Sequence, residues 1–160
     1  MVWLLDSTPQ IRWHVDVHSA VPVILHSWGS DQNQTAQTAQ NFLNSAFDQV
    51  RGRKDDAAYG EYISQDDLDA VTSLSQRMDK AISEVRGIGY GFDQAYGLYP
   101  TSGASDDYAF SRNFADDAKT KVYGFTIECG GSFQPTWDEA EDVIREVSAG
   151  LIAFCLAVTE

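Results

Sequence analysis

The chain has three histidines, His14, His18 and His26, and their spacing limits which of them could bind the same metal ion. His14 and His18 fall on the same face of an alternating segment, but four residues of extended chain at ~3.3 Å each separate them by about 13 Å. An ion that holds its ligands at ~2 Å cannot bind both. His18 is the better candidate, because it ends the segment beside a polar turn, where open α/β sheets place their sites. A structural role for a single histidine at a strand end is the alternative.

Two further segments carry groups suited to acid–base chemistry or to substrate binding. Glu128 follows the mostly apolar residues 124–127 and precedes a turn of glycine and serine. Partial desolvation at such a position suits a general base, although an exposed glutamate at a strand end is the alternative. Residues 98–108 are rich in turn formers and contain Tyr99 and the adjacent carboxylates Asp106 and Asp107. The alternative for this segment is a loop that leads into a capped helix.

The hydrophobic pattern predicts the elements that would position these groups. Strict alternation over residues 11–18 and the apolar segments 21–25 and 121–129 predict three strands. Apolar positions at helical spacing predict amphipathic helices over 35–50, 64–86 and 136–158, and a shorter one after Ser105. Thr35, Ser64 and Thr136 are suitable N-caps, and the last long helix is predicted to be largely buried. Strands that alternate with helices indicate an α/β fold with a mainly parallel or mixed sheet.

Composition and charge limit the class of protein and its partners. A chain of 160 residues with 43% hydrophobic residues suits one folded domain rather than a disordered tail. The formal net charge of −13 disfavours binding to nucleic acid or to anionic membranes and favours cationic partners, although it is also typical of a well-solvated surface. No stretch approaches the ~18 apolar residues of a membrane span. The first residues show no secretion signal, so the sequence predicts no compartment and leaves secretion open.

The two cysteines, Cys129 and Cys155, do not have the spacing of a metal site. An apolar position is favoured for each of them, and a disulfide bond between them is the alternative.

The order of these segments resembles the second half of the zinc carboxypeptidases of the carboxypeptidase A, B and T type. The motifs that support this resemblance are Asp-Val-His-Ser at 16–19, the segment from Leu98 to Tyr108, and Phe-Thr-Ile-Glu at 125–128. A long final helix follows them. The resemblance extends from about Ile11 to the end of the chain, and residues 99–108 are its most specific part. It implies that residues 1–160 form a single domain that is the C-terminal part of a larger peptidase domain.

The resemblance also implies the chemistry of a metallopeptidase. In that family, a histidine at a strand end is a zinc ligand, which corresponds to His18. The glutamate that ends the late strand corresponds to Glu128, the general base that activates a water molecule.

Four further residues of the resembling segments are implied to bind the substrate, the C-terminus of a peptide or protein. Ser19 and Ala20 correspond to positions along the substrate groove, and Tyr99 to a tyrosine that closes over the C-terminal residue. Asp106 corresponds to the floor of the specificity pocket, where an acidic residue implies a preference for C-terminal Lys or Arg, or a broad preference.

The sequence departs from the family in two respects. No histidine is followed by a glutamate three residues later, so the family's His-x-x-Glu zinc ligands and its substrate-binding arginines are missing. Residues 129–132, Cys-Gly-Gly-Ser, also lack the charged residues that follow this glutamate in the animal enzymes. We therefore expect the rim of the specificity pocket to differ from theirs.

Because catalytic zinc needs about three protein ligands, we expect this chain alone to be inactive, to bind zinc weakly or not at all, and to self-associate through the exposed face of a half-domain. A non-catalytic α/β binding domain of the same shape is the alternative. A serine hydrolase is not favoured, because the chain has no G-x-S-x-G motif.

Overall fold

The computed structural model describes residues 1–53 and 57–159, which form five α-helices and six strands in an α/β arrangement. A 3-10 turn over Ser45–Phe47 lies between the third and fourth strands. In chain order the elements are α1 (Val2–Ser7), β1 (Trp13–His18), β2 (Val23–His26), β3 (Asn33–Gln34), β4 (Glu61–Tyr62), α2 (Gln65–Arg86), β5 (Phe92–Gln94), α3 (Ala95–Leu98), α4 (Ser105–Ala115), β6 (Tyr123–Glu128) and α5 (Trp137–Ala157).

Four of the strands form a mixed sheet in the order β1-β6-β2-β5. Strand β6 is parallel to β1 and antiparallel to β2, and β2 is parallel to β5. Strands β3 and β4 form a separate parallel pair. This architecture confirms the predicted α/β class with a mixed sheet, including the predicted strands around residues 11–18, 21–25 and 121–129.

The main core lies between one face of the sheet and the helices α2 and α5. It contains nine buried residues from these elements and from the turn before β5: Ile24, Val71, Leu74, Met78, Ile82, Tyr90, Phe125, Ile127 and Phe154. The two helices approach closely at Gly150, where an added Cβ atom would meet Ile82 at 3.0 Å. At the edge of this contact, Arg86 donates to Glu146 at 2.6 Å and to Glu139 at 3.0 Å.

The opposite face of the sheet is covered by α4, whose first turn packs directly on β6. A Cβ atom at Gly124 would come closer than 3.0 Å to backbone atoms of Asp106. Only glycine therefore permits this approach, which fixes the start of α4 above the sheet.

The boundaries of α2 and the start of α5 agree with the capping prediction. The Ser64 hydroxyl accepts a hydrogen bond from the Asp67 N–H at 3.2 Å, and Gly87 ends the helix with a φ of 77°. Thr136 caps α5 in the same way through the Glu139 N–H.

The helix predicted over residues 35–50 is wrong, because polar side chains there bind the local backbone instead. The Gln34 side chain accepts hydrogen bonds from the N–H groups of Ala36 and Gln37, and the Asn44 side chain accepts one from Ala46. The Phe42 N–H donates to the buried carboxylate of Glu61. These bonds offer the backbone partners that a helix would otherwise supply.

The predicted burial of α5 is also wrong over most of its length. Its buried residues are Glu146, Gly150 and Phe154, whereas Ile144, Ile152 and Leu156 are 57%, 61% and 62% exposed. The apolar stripe is wider than the contact that α2 and the sheet make with it.

The two cysteine thiols are free. Cys129 packs against the main core as predicted, but Cys155 is exposed. Within the described ranges, no helix has the length and apolar character to cross a bilayer.

We predict that Gly124→Ala destabilises the fold by about 1–3 kcal/mol or more, because the added methyl group meets backbone atoms that cannot rotate away. Urea denaturation followed by circular dichroism measures the change. Gly131→Ala is the matched control, since a Cβ atom there would have no neighbour within 4 Å, and its effect should stay within about 0.5 kcal/mol. Equal stabilities of the two variants would contradict the close contact between α4 and β6.

Candidate active site

The parallel pairing of β1 and β6 brings two ionisable side chains together at one end of the sheet. His18 and Glu128 are the last residues of their strands and are register partners. The Nδ1 atom of His18 lies 3.5 Å from Oε1 of Glu128. The His18 side chain is 49% exposed and that of Glu128 is 13% exposed, so the imidazole remains accessible while the carboxylate is largely shielded.

A second carboxylate contacts the other nitrogen of the same imidazole. Asp16 precedes His18 by two residues on the same strand face, and its Oδ2 atom lies 3.2 Å from Nε2 of His18. The hydroxyl of Ser105, the first residue of α4, donates to the same Oδ2 atom at 2.7 Å. The hydrogen bond from Ser105 and the contact with His18 hold the pKa of Asp16 below its usual value.

A cavity of about 110 Å³ opens beside this group. Most of its wall is apolar, formed in part by Leu25, Ala95, Leu98 and Ala104. Its polar lining includes four of the residues singled out from the sequence: His18, Tyr99, Asp106 and Glu128.

Ser19 and Ala20, the other two residues predicted to bind substrate, lie in the turn after β1 and do not line this cavity. Ser19 is exposed and Ala20 is half-buried, and the peptide bond between them is cis.

Asp106 is 2% exposed and forms part of the cavity wall. Its carboxylate accepts a hydrogen bond from the Asp107 N–H at 2.9 Å. Burial raises the pKa of Asp106, and the electrostatic interaction with His14 and His18 opposes this shift. Among residues 1–53 and 57–159, no lysine or arginine forms an ion pair with it. An apolar cavity with a buried carboxylate in its wall suits a long cationic side chain.

Asp107 points away from this cavity. Its two carboxylate oxygens accept the Gly29 N–H at 2.9 and 3.0 Å. Burial, and then repulsion from Asp106, raise the pKa of Asp107 to about 7. This carboxyl group lines a second cavity of about 230 Å³ beside Trp28, Phe42 and Tyr108.

The comparisons with known proteins concern the fold. No protein-family model matches the sequence, and no curated protein matches it significantly. The crystal structure of carboxypeptidase A from Helicoverpa armigera is similar, with a TM-score of 0.53 and 14% sequence identity over 99% of this chain and 34% of that chain. The fold is carboxypeptidase-like. At this identity the likeness covers the fold alone, and the present chain spans about a third of the length of the carboxypeptidase that it matches.

The described residues were compared with the ligand groups that hold metal ions in proteins. They contain no group of three or more His, Cys, Asp or Glu side chains arranged to hold an ion. His18 is the sole histidine among the residues that line the cavity. Because a catalytic zinc ion needs about three protein ligands, His18 would need further ligands to hold one.

Asp16 and Ser105 are the members of the site that were not predicted from the sequence. Asp16 could have been found from its spacing, since residues two apart on a strand point to the same face. Nothing in the sequence places Ser105 against β1, because that contact depends on how α4 docks on the sheet.

We predict that Asp107→Asn changes the pH dependence of stability. A carboxyl group whose pKa rises from 3.8 to about 7 on folding binds its proton more tightly in the folded state. It therefore lowers the free energy of unfolding as the pH rises from about 4 to about 7, by at most ~1.4 kcal/mol per pH unit. The asparagine variant lacks this loss, so its stability relative to the wild type should increase across that window.

Urea denaturation at half-unit pH intervals checks this prediction. Asp138→Asn, which removes an exposed carboxylate, is the control and should leave the wild-type slope unchanged. Parallel pH profiles for the wild type and Asp107→Asn would show that the pKa of the Asp107 carboxyl group does not rise on folding.

Proposed function

We propose that this chain is the C-terminal part of a metallocarboxypeptidase domain, a zinc-dependent exopeptidase that removes C-terminal residues from peptides. The observation that carries the proposal is the pairing of His18 with Glu128, 3.5 Å apart, in a cavity that also contains Tyr99 and Asp106. The likeness in fold to a carboxypeptidase A supports it at the level of shape.

Glu128 is the proposed general base. Its largely shielded carboxylate accepts a proton from the water molecule that attacks the scissile carbonyl carbon. The same carboxyl group then donates that proton to the leaving nitrogen as the carbon–nitrogen bond breaks. His18 is the proposed zinc ligand of this chain, and the remaining ligands are proposed to come from the rest of the peptidase domain. A bound zinc ion would act as a Lewis acid that polarises the scissile carbonyl group.

The substrate in this proposal is the C-terminal residue of a peptide or protein. Tyr99 is 58% exposed on the loop before α4, where its phenol can close over a bound residue. Asp106 provides the negative charge for a C-terminal Lys or Arg side chain, whose methylene groups suit the apolar wall. Ser19 and Ala20 are proposed to line the groove outside the cavity. The net charge of −13 favours basic peptides and disfavours nucleic acids and anionic membranes as partners.

The proposed role of Glu128 as general base is tested in the longest polypeptide that is encoded by the reading frame of this chain. We expect the 160-residue chain to release no amino acid from hippuryl-Lys, hippuryl-Arg or hippuryl-Phe with or without zinc, because His18 alone does not supply the roughly three protein ligands of a catalytic zinc ion. We expect the longer polypeptide to be active, and Glu128→Gln to lower its kcat by about 10²–10⁴ while it keeps its zinc. Glu84→Gln, which changes an exposed glutamate on α2, is the matched control.

The same assay tests the role of Asp106. We expect the longer polypeptide to prefer hippuryl-Lys over hippuryl-Phe, and Asp106→Asn to lower kcat/KM for the lysine substrate by about 30-fold or more, since the substrate cation loses its buried partner. Equal or faster cleavage of hippuryl-Phe by the unmodified enzyme would reject the basic preference. Zinc-dependent release by the 160-residue chain would reject the proposal that its site is incomplete.

A non-catalytic binding domain of carboxypeptidase-like shape is the second candidate. It is favoured by one observation, the lack of a three-ligand metal group among the described residues. The upstream genomic sequence separates the two candidates. An open reading frame that encodes His-x-x-Glu supports the peptidase, and a stop codon directly before the codon for Met1 supports the binding domain.

We also propose that this chain self-associates through the exposed face of α5. Ile144, Ile152 and Leu156 lie on one stripe of that helix and are each more than half exposed. Sedimentation velocity should show concentration-dependent dimers or larger species, and Ile152→Glu should shift the distribution towards monomers. Ile88→Glu, in the loop after α2 and 59% exposed, is the control and should leave the distribution unchanged. A wild-type chain that stays monomeric at high concentration contradicts this proposal.

A further inference from the structure

The adjacent carboxyl groups at the start of α4 line two different cavities. Asp106 lines the cavity of His18 and Glu128, whereas Asp107 lines a second cavity of about 230 Å³ that is formed by other residues. Three aromatic side chains contribute to the wall of the second cavity: Trp28, Phe42 and Tyr108. We propose that this second cavity binds a small methylated ammonium ion, with the Asp107 carboxylate as its counter-ion.

The first step of the argument is that hydrogen bonds fix the walls of this cavity. The Gly29 N–H, in the segment after β2, donates to the two carboxylate oxygens of Asp107 at 2.9 and 3.0 Å. The Gly29 carbonyl oxygen accepts the Thr101 N–H at 2.7 Å, which joins the loop before α4 to the same segment. A site whose walls are fixed before the ligand arrives loses less free energy to ordering when it binds.

The second step concerns the depth and size of the cavity. Asp107 and Trp28 are 8% and 2% exposed, whereas Ser102 and Gly103 are exposed, so the cavity extends from an accessible rim to a buried carboxyl group. Its volume exceeds several times the ~30 Å³ that one water molecule occupies in the liquid, and it is smaller than the ~300–1,000 Å³ of sites for drug-sized ligands. The space therefore suits a ligand of a few non-hydrogen atoms.

The third step is the chemistry of the wall. A carboxylate that is shielded from water attracts a cation more strongly than an exposed one. Phe42 and Tyr108 are half-buried aromatic residues of the same wall, and aromatic rings bind methylated ammonium ions through the negative charge of their faces. Such an ion also brings methyl groups instead of N–H donors, so its contacts with the rings leave no hydrogen bond unmade. Choline combines these properties in a molecule of suitable size.

Titration of the 160-residue chain with choline chloride tests the proposal. Burial raises the pKa of Asp107 to about 7, so the titration is carried out at about pH 8, where this carboxyl group is mostly ionised. Binding is followed in ¹H–¹⁵N correlation spectra. We expect saturable shifts of the Gly29 amide and of the Trp28 indole N–H, which are larger than those of the Thr126 amide beside the first cavity.

A neutral analogue separates the effect of charge from that of shape. The alcohol 3,3-dimethylbutan-1-ol has the shape of choline, with a carbon atom in place of the charged nitrogen. We expect it to bind about tenfold more weakly than choline, because it lacks the attraction to Asp107 and to the aromatic rings.

Variants assign the binding to the second cavity. Asp107→Asn should raise the Kd for choline by about tenfold or more, since the ion loses its counter-charge. Asp106→Asn removes the neighbouring buried carboxylate of the first cavity and should change the Kd by no more than about threefold. Tyr108→Leu should raise the Kd by about threefold, and Tyr108→Phe, which keeps the ring, should bind as the wild type does. The correlation spectrum of each variant without ligand reports whether its fold is intact.

Three results would overturn the proposal. The first is the lack of a saturable shift at Gly29 up to about 100 mM choline, where even very weak binding is detected. The second is equal affinity for choline and for the neutral alcohol. The third is a larger loss of affinity in Asp106→Asn than in Asp107→Asn, which would assign the ion to the first cavity. Neither zinc nor the proposed peptidase activity enters these experiments, so the failure of one proposal leaves the other standing.

Discussion

The parallel pairing of β1 with β6 is the constraint on which the rest of the structure depends. Strand side chains alternate between the two faces of a sheet, so one register divides every residue of both strands between core and cavity. Val15, Phe125 and Ile127 face α2 and α5, while the intervening residues Asp16 and Thr126 face α4 and the cavity. A shift of one residue would exchange these sets and separate His18 from Glu128. The apolar core and the polar site are thus products of the same hydrogen-bonded ladder.

Two cations of this acidic chain lie where they hold the long helices to the rest of the fold. Arg86 joins the end of α2 to α5 through Glu139, Asp142 and Glu146. Lys121 binds the buried Asp67 at the start of α2, with Nζ 2.9 Å from each carboxylate oxygen. These contacts satisfy acids whose burial would otherwise be costly. Asp106 is buried without a lysine or arginine partner in the part of the chain that the structure describes, and its burial raises its pKa.

The sequence was most informative where local chemistry alone determines the structure. Alternation along β1 and the cap at Ser64 predicted their elements closely, because a strand face and a helix start depend on neighbours in the chain. The helix expected over residues 35–50 failed because hydrophobic spacing does not reveal that Gln34 and Asn44 side chains bind the backbone. The burial of α5 failed for a different reason, since the periodicity of a helix does not show how much of its stripe a neighbour covers.

The candidate site shows the same division between local and tertiary information. Each of His18, Tyr99, Asp106 and Glu128 could be named from its segment, yet their common cavity requires the β1–β6 register and the docking of α4. That docking depends on Gly124, a residue without functional groups that no search for chemistry would select. Its missing side chain lets the first turn of α4 reach the sheet, which brings Ser105 to Asp16 and Asp106 to the cavity. A glycine in the centre of the sheet therefore positions the polar groups on which the proposed chemistry depends.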